Sequence, residues 1–285
     1  MALLPEFYLN TVVAIGVGDD PYDRHWIGTG FLFGKFINRN PGTGNVSYQT
    51  FLVTNKHVFR GEKVIYLKFN SLQGLTSKDY KVDLMFSNGR KKWVGHPKDL
   101  IDVAVIWINT NILRNEKRLF DYFRSDMHIY PKSRMISSGV TEGDNIYVLG
   151  FPMGLVDKTQ QYVICRRGCI ARIRDFFDNR TSEFLIDARV FPGNSGGPVI
   201  LCPSAIAIKG TKRTNESALL GIVKAYLPYR DVGFSKQTRQ PRIIFEENSG
   251  LAVVESVDSI IETVDIAARR IKRRVARKKS TSQNN

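Results

Sequence analysis

The chain has 285 residues, of which 42% are hydrophobic, and a formal net charge of +15. Such a chain buries a substantial core and forms one or two domains. It has no apolar run of about 18 residues, so we expect no membrane-spanning helix. Its three cysteines do not make the disulfide framework of a small secreted protein.

The cysteines and the first residues also bear on cofactors and compartment. Cys165 and Cys169 have no histidine near them, so the sequence predicts no metal site, and we expect no cofactor. Residues 1–6 lack the basic stretch and following apolar run that mark a signal peptide. The sequence therefore predicts a protein of the reducing cytoplasm.

Predicted strands dominate the chain up to about residue 255. Short runs rich in Val, Ile, Phe and Tyr are separated by Gly, Asn, Asp and Pro, which is typical of strands. They lie at residues 11–17, 28–33, 51–54, 63–69, 103–108, 145–149, 162–173, 183–190, 198–201, 219–225 and 251–255. Because they follow one another without alternating helices, the pattern favours barrels over a parallel sheet.

The first candidate catalytic group stands where an apolar strand ends. Residues 51–58 read FLVTNKHV, and the small-residue turn after the strand presents His57. Further on, an apolar strand follows a buried-looking carboxylate, Asp102. Asp99 also precedes that strand and stays the alternative, but Asp102 is followed directly by the buried residues. A histidine held by a carboxylate is the base that activates a serine hydroxyl.

The most informative segment is FPGNSGGP at residues 191–198. A serine between glycines, after a strand-like stretch, fits a nucleophile held in a tight turn. Gly193 has no side chain, so its amide and that of Ser195 can face a developing oxyanion. An ordinary turn between two strands is the plain alternative for this octet.

Seven segments together resemble the trypsin-like serine peptidases, and within them the bacterial Deg (high-temperature-requirement) branch. The segments are GTGFLF (28–33), TNKHV (54–58), DVAVI (102–106), GDNIYVLGFPMGL (143–155), IDARVFPGNSGGPVI (186–200), GIVKAY (221–226) and the weaker NSGLAVV (248–254). His57, Asp102 and Ser195 match the family's triad in its chain order. The resemblance implies a serine endopeptidase that acts on protein or peptide substrates.

The resemblance also implies a mostly β fold of two six-stranded antiparallel β-barrels. The expected units are a first barrel at residues 1–110 with His57 and Asp102, a charged connection at 111–142, a second barrel at 143–255 with Ser195, and a C-terminal helix and basic tail at 256–285. No segment like a PDZ domain follows the second barrel, so the expected relatives are members of the branch without one.

The residues expected to bind substrate are Arg189, Lys224 and Tyr226. Arg189 lies six positions before the serine, where the trypsin-like pattern has the base of the specificity pocket, and the other two lie on GIVKAY. If the Arg189 guanidinium enters the pocket, Asp or Glu before the scissile bond is favoured. If it turns away to pair with Asp187 or Glu183, Tyr226 narrows a small apolar pocket that takes Val or Ala.

One departure from the digestive members of the family concerns activation. Those enzymes carry an aspartate before the serine, and it pairs with a new N-terminus after cleavage. This chain has Asn194 there. An amide cannot form that ion pair, so activation by N-terminal trimming is not implied.

The last segment has a helical pattern rather than a strand pattern. Apolar residues with 3–4 spacing are Ile260, Ile261, Val264, Ala268, Ile271 and Val275. Residues 269–279 carry eight Lys or Arg and no acid, which leaves +7 for the rest of the chain. We expect one amphipathic helix from about Ser256 to Lys278, whose basic end binds nucleic acid or an anionic membrane surface. A solvated run that only aids solubility is the alternative.

A different class of function also stays open. The chain could be a protease-like module that recognises peptides or nucleic acid without cleaving them. A complete set of triad residues argues against this class, because such modules often lose at least one member.

Overall fold

The computed structural model describes residues 4–74, 76–204, 210–212 and 216–282, with the side chains of 275 and 277–282 outside the description. The strands of the first sheet are β1 (Val12–Val17), β2 (His25–Arg39), β3 (Val46–Thr54), β4 (Val64–Phe69), β5 (Lys78–Asp83), β6 (Val94–Gly95), β7 (Ala104–Trp107) and β8 (Phe123–Arg124). Their order is β5-β4-β1-β2-β3-β7-β6, and β8 pairs with β2 from the side.

The two ends of this sheet order meet through a hairpin. Met85, just after β5, forms an antiparallel bridge with Lys91, just before β6. The amide of Lys92 also donates a hydrogen bond to the carbonyl of Leu84 at 2.8 Å. These contacts curl the sheet towards a barrel, although its strand pairing is less complete than the six-stranded barrel expected here.

The second sheet is a closed barrel. Its strands are β9 (Asn145–Gly150), β10 (Ile164–Arg172), β11 (Glu183–Asp187), β12 (Pro198–Leu201), β13 (Ala218–Phe234) and β14 (Pro241–Ser256). They close in the order β10-β11-β14-β13-β12-β9, with every pair antiparallel. Strands β13 and β14 continue beyond the barrel as a two-stranded ribbon. The mostly β, trypsin-like double-barrel fold is thereby confirmed.

Strand alternation explains why the first sheet reads as continuous apolar runs. In β2, Phe31 and Phe33 point to one side and Leu32 to the other, since successive side chains alternate. Leu32 packs with Leu52 and Ile65 in a core of the first sheet, while the two phenylalanines join the core that continues into the second barrel. Both faces are buried, so no polar residue interrupts the run.

Helices are short except for the last one. They are α1 (Glu6–Asn10), α2 (Lys56–Phe59), α3 (Thr110–Asn115), α4 (Lys132–Ser138), α5 (Arg174–Phe177) and α6 (Val257–Ser282). The expected connection at 111–142 holds α3, β8 and α4, and the unit boundaries at 110, 142 and 255 stay predictions. In the described ranges no helix is long and apolar enough to cross a membrane.

Helix α6 confirms the expected C-terminal helix. Ile260, Val264 and Ala267 are buried, so its apolar face packs on the sheets instead of facing water. Lys35 in β2 forms an ion pair with Asp265, and Nε2 of the buried His96 lies 2.9 Å from the Glu262 carboxylate. The helix is therefore anchored to the first sheet by both apolar and charged contacts.

Candidate active site

His57 lies on the single turn of α2, directly after β3. Its neighbours Val58 and Phe59 are buried and anchor the turn, which leaves the imidazole at the surface with 46% of its side chain exposed. The side-chain amide of Asn55 donates to the carbonyl of Asp102 at 2.7 Å. This bond ties the end of β3 to the segment before β7.

Asp102 approaches His57 with both carboxylate oxygens. Its Oδ2 lies 2.5 Å from Nδ1 of His57, and its Oδ1 accepts the His57 backbone amide at 3.2 Å. Burial would raise the pKa of Asp102, but the hydrogen bond and charge of His57, with nearby backbone amides, hold that pKa below its ordinary value. Asp99 is exposed and forms no hydrogen bond to His57 in the described residues.

Ser195 lies in the turn between β11 and β12, where glycines are needed for two reasons. Gly193 has φ +93°, a conformation that disfavours residues with a Cβ. Gly196 has no room for a side chain, because a Cβ there would overlap the Thr29 carbonyl. Asn194 braces the turn itself, since its Oδ1 accepts the amide of Phe191 at 3.1 Å.

The peptide group before Gly193 is fixed by a neighbouring loop. The carbonyl of Pro192 accepts the amide of Met153 at 2.6 Å, and Met153 itself has φ +56°. In a trans peptide the N–H points opposite to the carbonyl, so the Gly193 amide faces away from that loop. Within the described residues, neither this amide nor that of Ser195 donates a hydrogen bond, which leaves two free donors side by side.

Thr29 is a structural residue of the site to which the sequence analysis gave no role. Its hydroxyl donates to the carbonyl of Gly193 at 2.6 Å and accepts the amide of Phe151 at 3.0 Å. Its own amide donates to the carbonyl of Ser195 at 2.9 Å. The buried Thr29 thus joins β2 to the serine turn and to the 151–154 loop, and the GTGFLF segment was its only signal in the sequence.

The hydroxyl of Ser195 bonds to a strand carbonyl of the second barrel. It donates to the backbone carbonyl of Lys224 at 3.5 Å, and the described part of the chain contains no hydrogen bond between Ser195 and His57. A Cβ built on Gly28 would lie 3.0 Å from Val58 and 3.4 Å from the Ser195 carbonyl. The serine turn and the histidine turn therefore flank the same glycine.

A charged cluster lies behind Asp102. The backbone amide of Asp102 donates to Oε1 of Glu255 at 3.0 Å, and the ammonium of Lys224 lies 3.0 Å from the same oxygen. Lys224 also contacts Glu183 at 2.8 Å and donates to the Leu100 carbonyl at 2.9 Å. Burial raises the pKa of Glu255, and the Asp102 amide and Lys224 offset part of that rise.

Two of the expected substrate-binding residues lie differently from the expectation. The Lys224 ammonium is held by the carboxylates just described, so only its backbone carbonyl faces Ser195. Tyr226 donates its hydroxyl to Glu246 at 2.8 Å, on the ribbon formed by β13 and β14. The sequence could not reveal these partners, because they are at least 20 positions away.

Arg189 lies on an exposed stretch that follows β11, and both readings of its role in substrate selection stay predictions. It is exposed and lines a surface cavity of about 600 Å³ with Arg166, Arg167 and Asp187, and no triad residue lines that cavity. It forms no ion pair with a described carboxylate, and Glu183 is taken by Lys224. The neighbouring Val190 is buried in the core, whereas Arg189 is exposed to solvent.

The comparison that decides the family matches most of this site. A sequence profile described as a trypsin-like peptidase domain matches residues 28–203, which include Thr29, His57, Asp102 and Ser195. The chain belongs to the trypsin-like peptidase family. No curated relative matches the sequence at a significant level.

Two solved structures of proteases have a similar course of the chain. One is the apo protease domain of MamO from Magnetospirillum magneticum, with 14% identity, a TM-score of 0.46, and coverage of 90% of this chain and 96% of that one. The other is the inactive form of the Rv3671c protease, with 15% identity, a TM-score of 0.42, and coverage of 91% and 90%. This trypsin-like peptidase is similar to both in these terms.

Proposed function

We propose that this protein is a serine endopeptidase. Ser195 is the nucleophile, His57 the general base and then acid, and Asp102 the carboxylate that orients His57. The amides of Gly193 and Ser195 form the oxyanion hole. One observation carries the proposal. Nδ1 of His57 lies 2.5 Å from Oδ2 of Asp102, beside a serine turn in which the amides of Gly193 and Ser195 are free.

The proposed reaction starts with rotation of the Ser195 hydroxyl from the Lys224 carbonyl towards Nε2 of His57. As Oγ attacks the carbonyl carbon of the scissile peptide, its proton passes to Nε2, and the oxyanion is stabilised by the two amides. The C–N bond then breaks while Nε2 returns the proton to the leaving amine. A water molecule attacks the acyl ester in the same way, which releases the new carboxyl end and restores Ser195.

Asp102 contributes by remaining an anion. Because its pKa lies below the ordinary value, it stays charged over the neutral range and accepts the Nδ1 proton of His57. That bond leaves Nε2 free to accept the serine proton and stabilises the imidazolium that forms.

The proposed substrate selection rests on where Arg189 and Lys224 lie. Since Arg189 is exposed and lies outside the serine turn, we propose no acidic preference at the residue before the scissile bond. The backbone of β13 beside Ser195, rather than the ammonium of Lys224, is the part of GIVKAY that can meet a substrate. The cytoplasmic location stays a prediction, supported by the three free thiols.

Hydrolysis of fluorescent casein tests the function against a binding module. Wild-type protein should cleave it, and Ser195→Ala and His57→Ala should each lose nearly the whole rate, because the triad acts as a unit. Wild-type protein that binds casein without cleaving it, and matches Ser195→Ala, would favour the binding module.

A further inference from the structure

A strongly basic cavity lies between α6 and the hairpin that joins β5 to β6. It has a volume of about 550 Å³ and is lined by Arg90, Lys91, Arg270, Arg273 and Arg274. Arg90 and Lys91 come from the hairpin, whereas the three other arginines lie within about one turn of α6. We call these five residues the basic groove.

The basic groove has no internal counter-charge. None of its five cations forms an ion pair with a carboxylate of the described residues. The nearest acid along the hairpin, Asp83, is already paired with Lys92 at 3.2 Å. Five like charges on two converging elements repel one another, so the arrangement favours a bound polyanion.

An aromatic pocket adjoins the basic groove. It has a volume of about 410 Å³, shares Lys91, Arg270 and Arg274 with the groove, and is also lined by Tyr80, Phe86, Trp107 and Ile271. Half of the Trp107 surface is exposed, and the Arg274 guanidinium lies 4.6 Å from the centre of the Phe86 ring. A flat ring that carries a phosphate fits these two cavities, because the ring can stack on the aromatic side chains and the phosphate can contact the cations.

The packing of α6 decides between the two polyanions expected from the sequence. A helix that binds a membrane surface must insert its apolar face between lipids. Here Ile260, Val264 and Ala267 of that face are buried against the sheets. The basic side is left without an apolar face to insert, which favours nucleic acid over a bilayer.

We propose that the basic groove and the aromatic pocket together bind single-stranded nucleic acid. Phosphates contact the five cations, and a base stacks in the pocket beside Trp107, which is how sequence-tolerant single-strand binding works elsewhere. Neither cavity is lined by His57, Asp102 or Ser195, so the proposed binding site is separate from the proposed catalytic residues. The side chains of Arg277, Lys278 and Lys279, part of the predicted basic tail, lie outside the described residues.

Fluorescence anisotropy with labelled 20-nucleotide oligo(U) and oligo(dT) tests the proposal on the full chain. The logarithm of the affinity should fall with the logarithm of the salt concentration with a slope of about −3.5 if all five cations meet phosphates. Arg90→Glu/Lys91→Glu and Arg270→Glu/Arg273→Glu should each weaken binding about tenfold or more at 100 mM salt. Trp107→Ala should weaken binding several-fold without changing the salt slope, because stacking is not ionic.

A matched control separates the groove from the overall charge. Lys236→Glu/Arg242→Glu makes the same change in net charge on the exposed β13–β14 ribbon and should bind within about twofold of wild type. All variants should keep the wild-type melting temperature, because the mutated side chains are exposed or line open cavities.

Three results would overturn the proposal. Wild-type affinity in Arg90→Glu/Lys91→Glu would mean that the basic tail alone attracts the polyanion. Equal loss in the control pair would mean binding by overall charge. Binding to vesicles with 30% phosphatidylserine but not to either oligonucleotide would mean a membrane surface instead.

Discussion

The backbone amide of Asp102 donates a hydrogen bond to the fully buried carboxylate of Glu255 at 3.0 Å. Asp102 lies just before β7 of the first sheet and Glu255 lies near the end of β14 in the second barrel, so this bond holds the proposed catalytic carboxylate across the junction of the two. Lys224, 3.0 Å from the same oxygen, keeps Glu255 paired in a place where an isolated charge is costly.

Removing one member of this cluster should destabilise the fold. Lys224→Met leaves Glu255 buried and unpaired, so we expect the free energy of unfolding to fall by about 3–5 kcal/mol. Lys224→Met/Glu255→Gln should recover part of the loss, because no buried charge remains. The kcat of Lys224→Met should fall more than its KM changes, since the Asp102 segment loses part of its support. Urea unfolding and steady-state kinetics on a small peptide measure both effects.

An exposed ion pair provides the control for that experiment. Lys92 and Asp83 are 3.2 Å apart, with 31% and 55% of their side chains exposed. Lys92→Met should therefore cost about 0–1 kcal/mol. If Lys224→Met unfolds at the same urea concentration as Lys92→Met, the buried cluster does not stabilise the chain.

Replacement of the orienting carboxylate should affect turnover rather than folding. Asp102→Asn cannot accept the Nδ1 proton of His57 as an anion, so kcat should fall by about 10⁴-fold, the loss reported for the same change in a chymotrypsin-type triad. Asp99→Asn is the matched control, because Asp99 is exposed and only three positions away, and it should keep the wild-type rate. A nearly silent Asp102→Asn with a crippled Asp99→Asn would reverse the assignment.

The position of the serine turn, whose amides form the proposed oxyanion hole, should depend on the hydroxyl of Thr29. Thr29→Val keeps the shape but leaves the carbonyl of Gly193 and the amide of Phe151 without their buried partner, which costs about 1–3 kcal/mol for each group. We expect a fall in kcat of about 10–100-fold with little change in KM, since an oxyanion donor is worth up to about 10³-fold. Thr29→Ser should restore most of the rate.

A second buried threonine shows whether such a loss is specific to the turn. Thr263 donates its hydroxyl to the carbonyl of Ser259 inside α6 at 2.7 Å. Thr263→Val should change stability slightly and leave kcat unaltered. Equal kcat values for Thr29→Val and wild type would show that Thr29 does not position the serine turn.

The fold and the three proposed catalytic residues could be predicted from the sequence. Each triad member stands in a short ordered motif, and alternation of apolar residues marked most strands. The two-barrel fold followed from the family resemblance, and the helix after residue 256 from its 3–4 spacing. These signals are local, because they depend on neighbours a few positions away.

The interactions that support the site could not be predicted from the sequence. Lys224 was expected to bind substrate, yet its partners Glu183 and Glu255 are 41 and 31 positions away in the chain. Arg189 was placed by its distance from the serine alone, while the direction of its side chain depends on the backbone path after β11. Thr29 lay inside a recognised motif, but its role requires the 151–154 loop to fold against it. Such contacts are set by tertiary structure and leave no periodic trace.

The stability of the fold at acid pH should depend on the carboxylate of Glu142, which accepts hydrogen bonds from the backbone. Glu142 accepts the amides of Ile173 and Arg174 at 3.1 and 3.2 Å. Burial would raise its pKa, but these bonds and the Thr141 hydroxyl lower the pKa to about 2. Because the folded pKa lies below that of the unfolded chain, ionised Glu142 stabilises the fold above about pH 4.5, and the stabilisation is lost as the pH falls towards 2.

Thermal unfolding of Glu142→Gln across pH checks this expectation. At pH 7 the variant should melt a few degrees below wild type, and the difference should shrink from pH 4.5 downwards. Glu247→Gln, on an exposed stretch of β14, should melt like wild type throughout. A difference for Glu142→Gln that is constant with pH would rule out the charge as its source.

Labelling with a fluorescent fluorophosphonate tests the central claim most directly, because the probe reacts only with a serine that a base has activated. The wild-type protein should gain one probe, mapped by peptide mass to Ser195, and the labelling should disappear in Ser195→Ala and nearly so in His57→Ala. Folded wild-type protein that stays unlabelled at neutral pH, or that is labelled at another residue, would contradict the account.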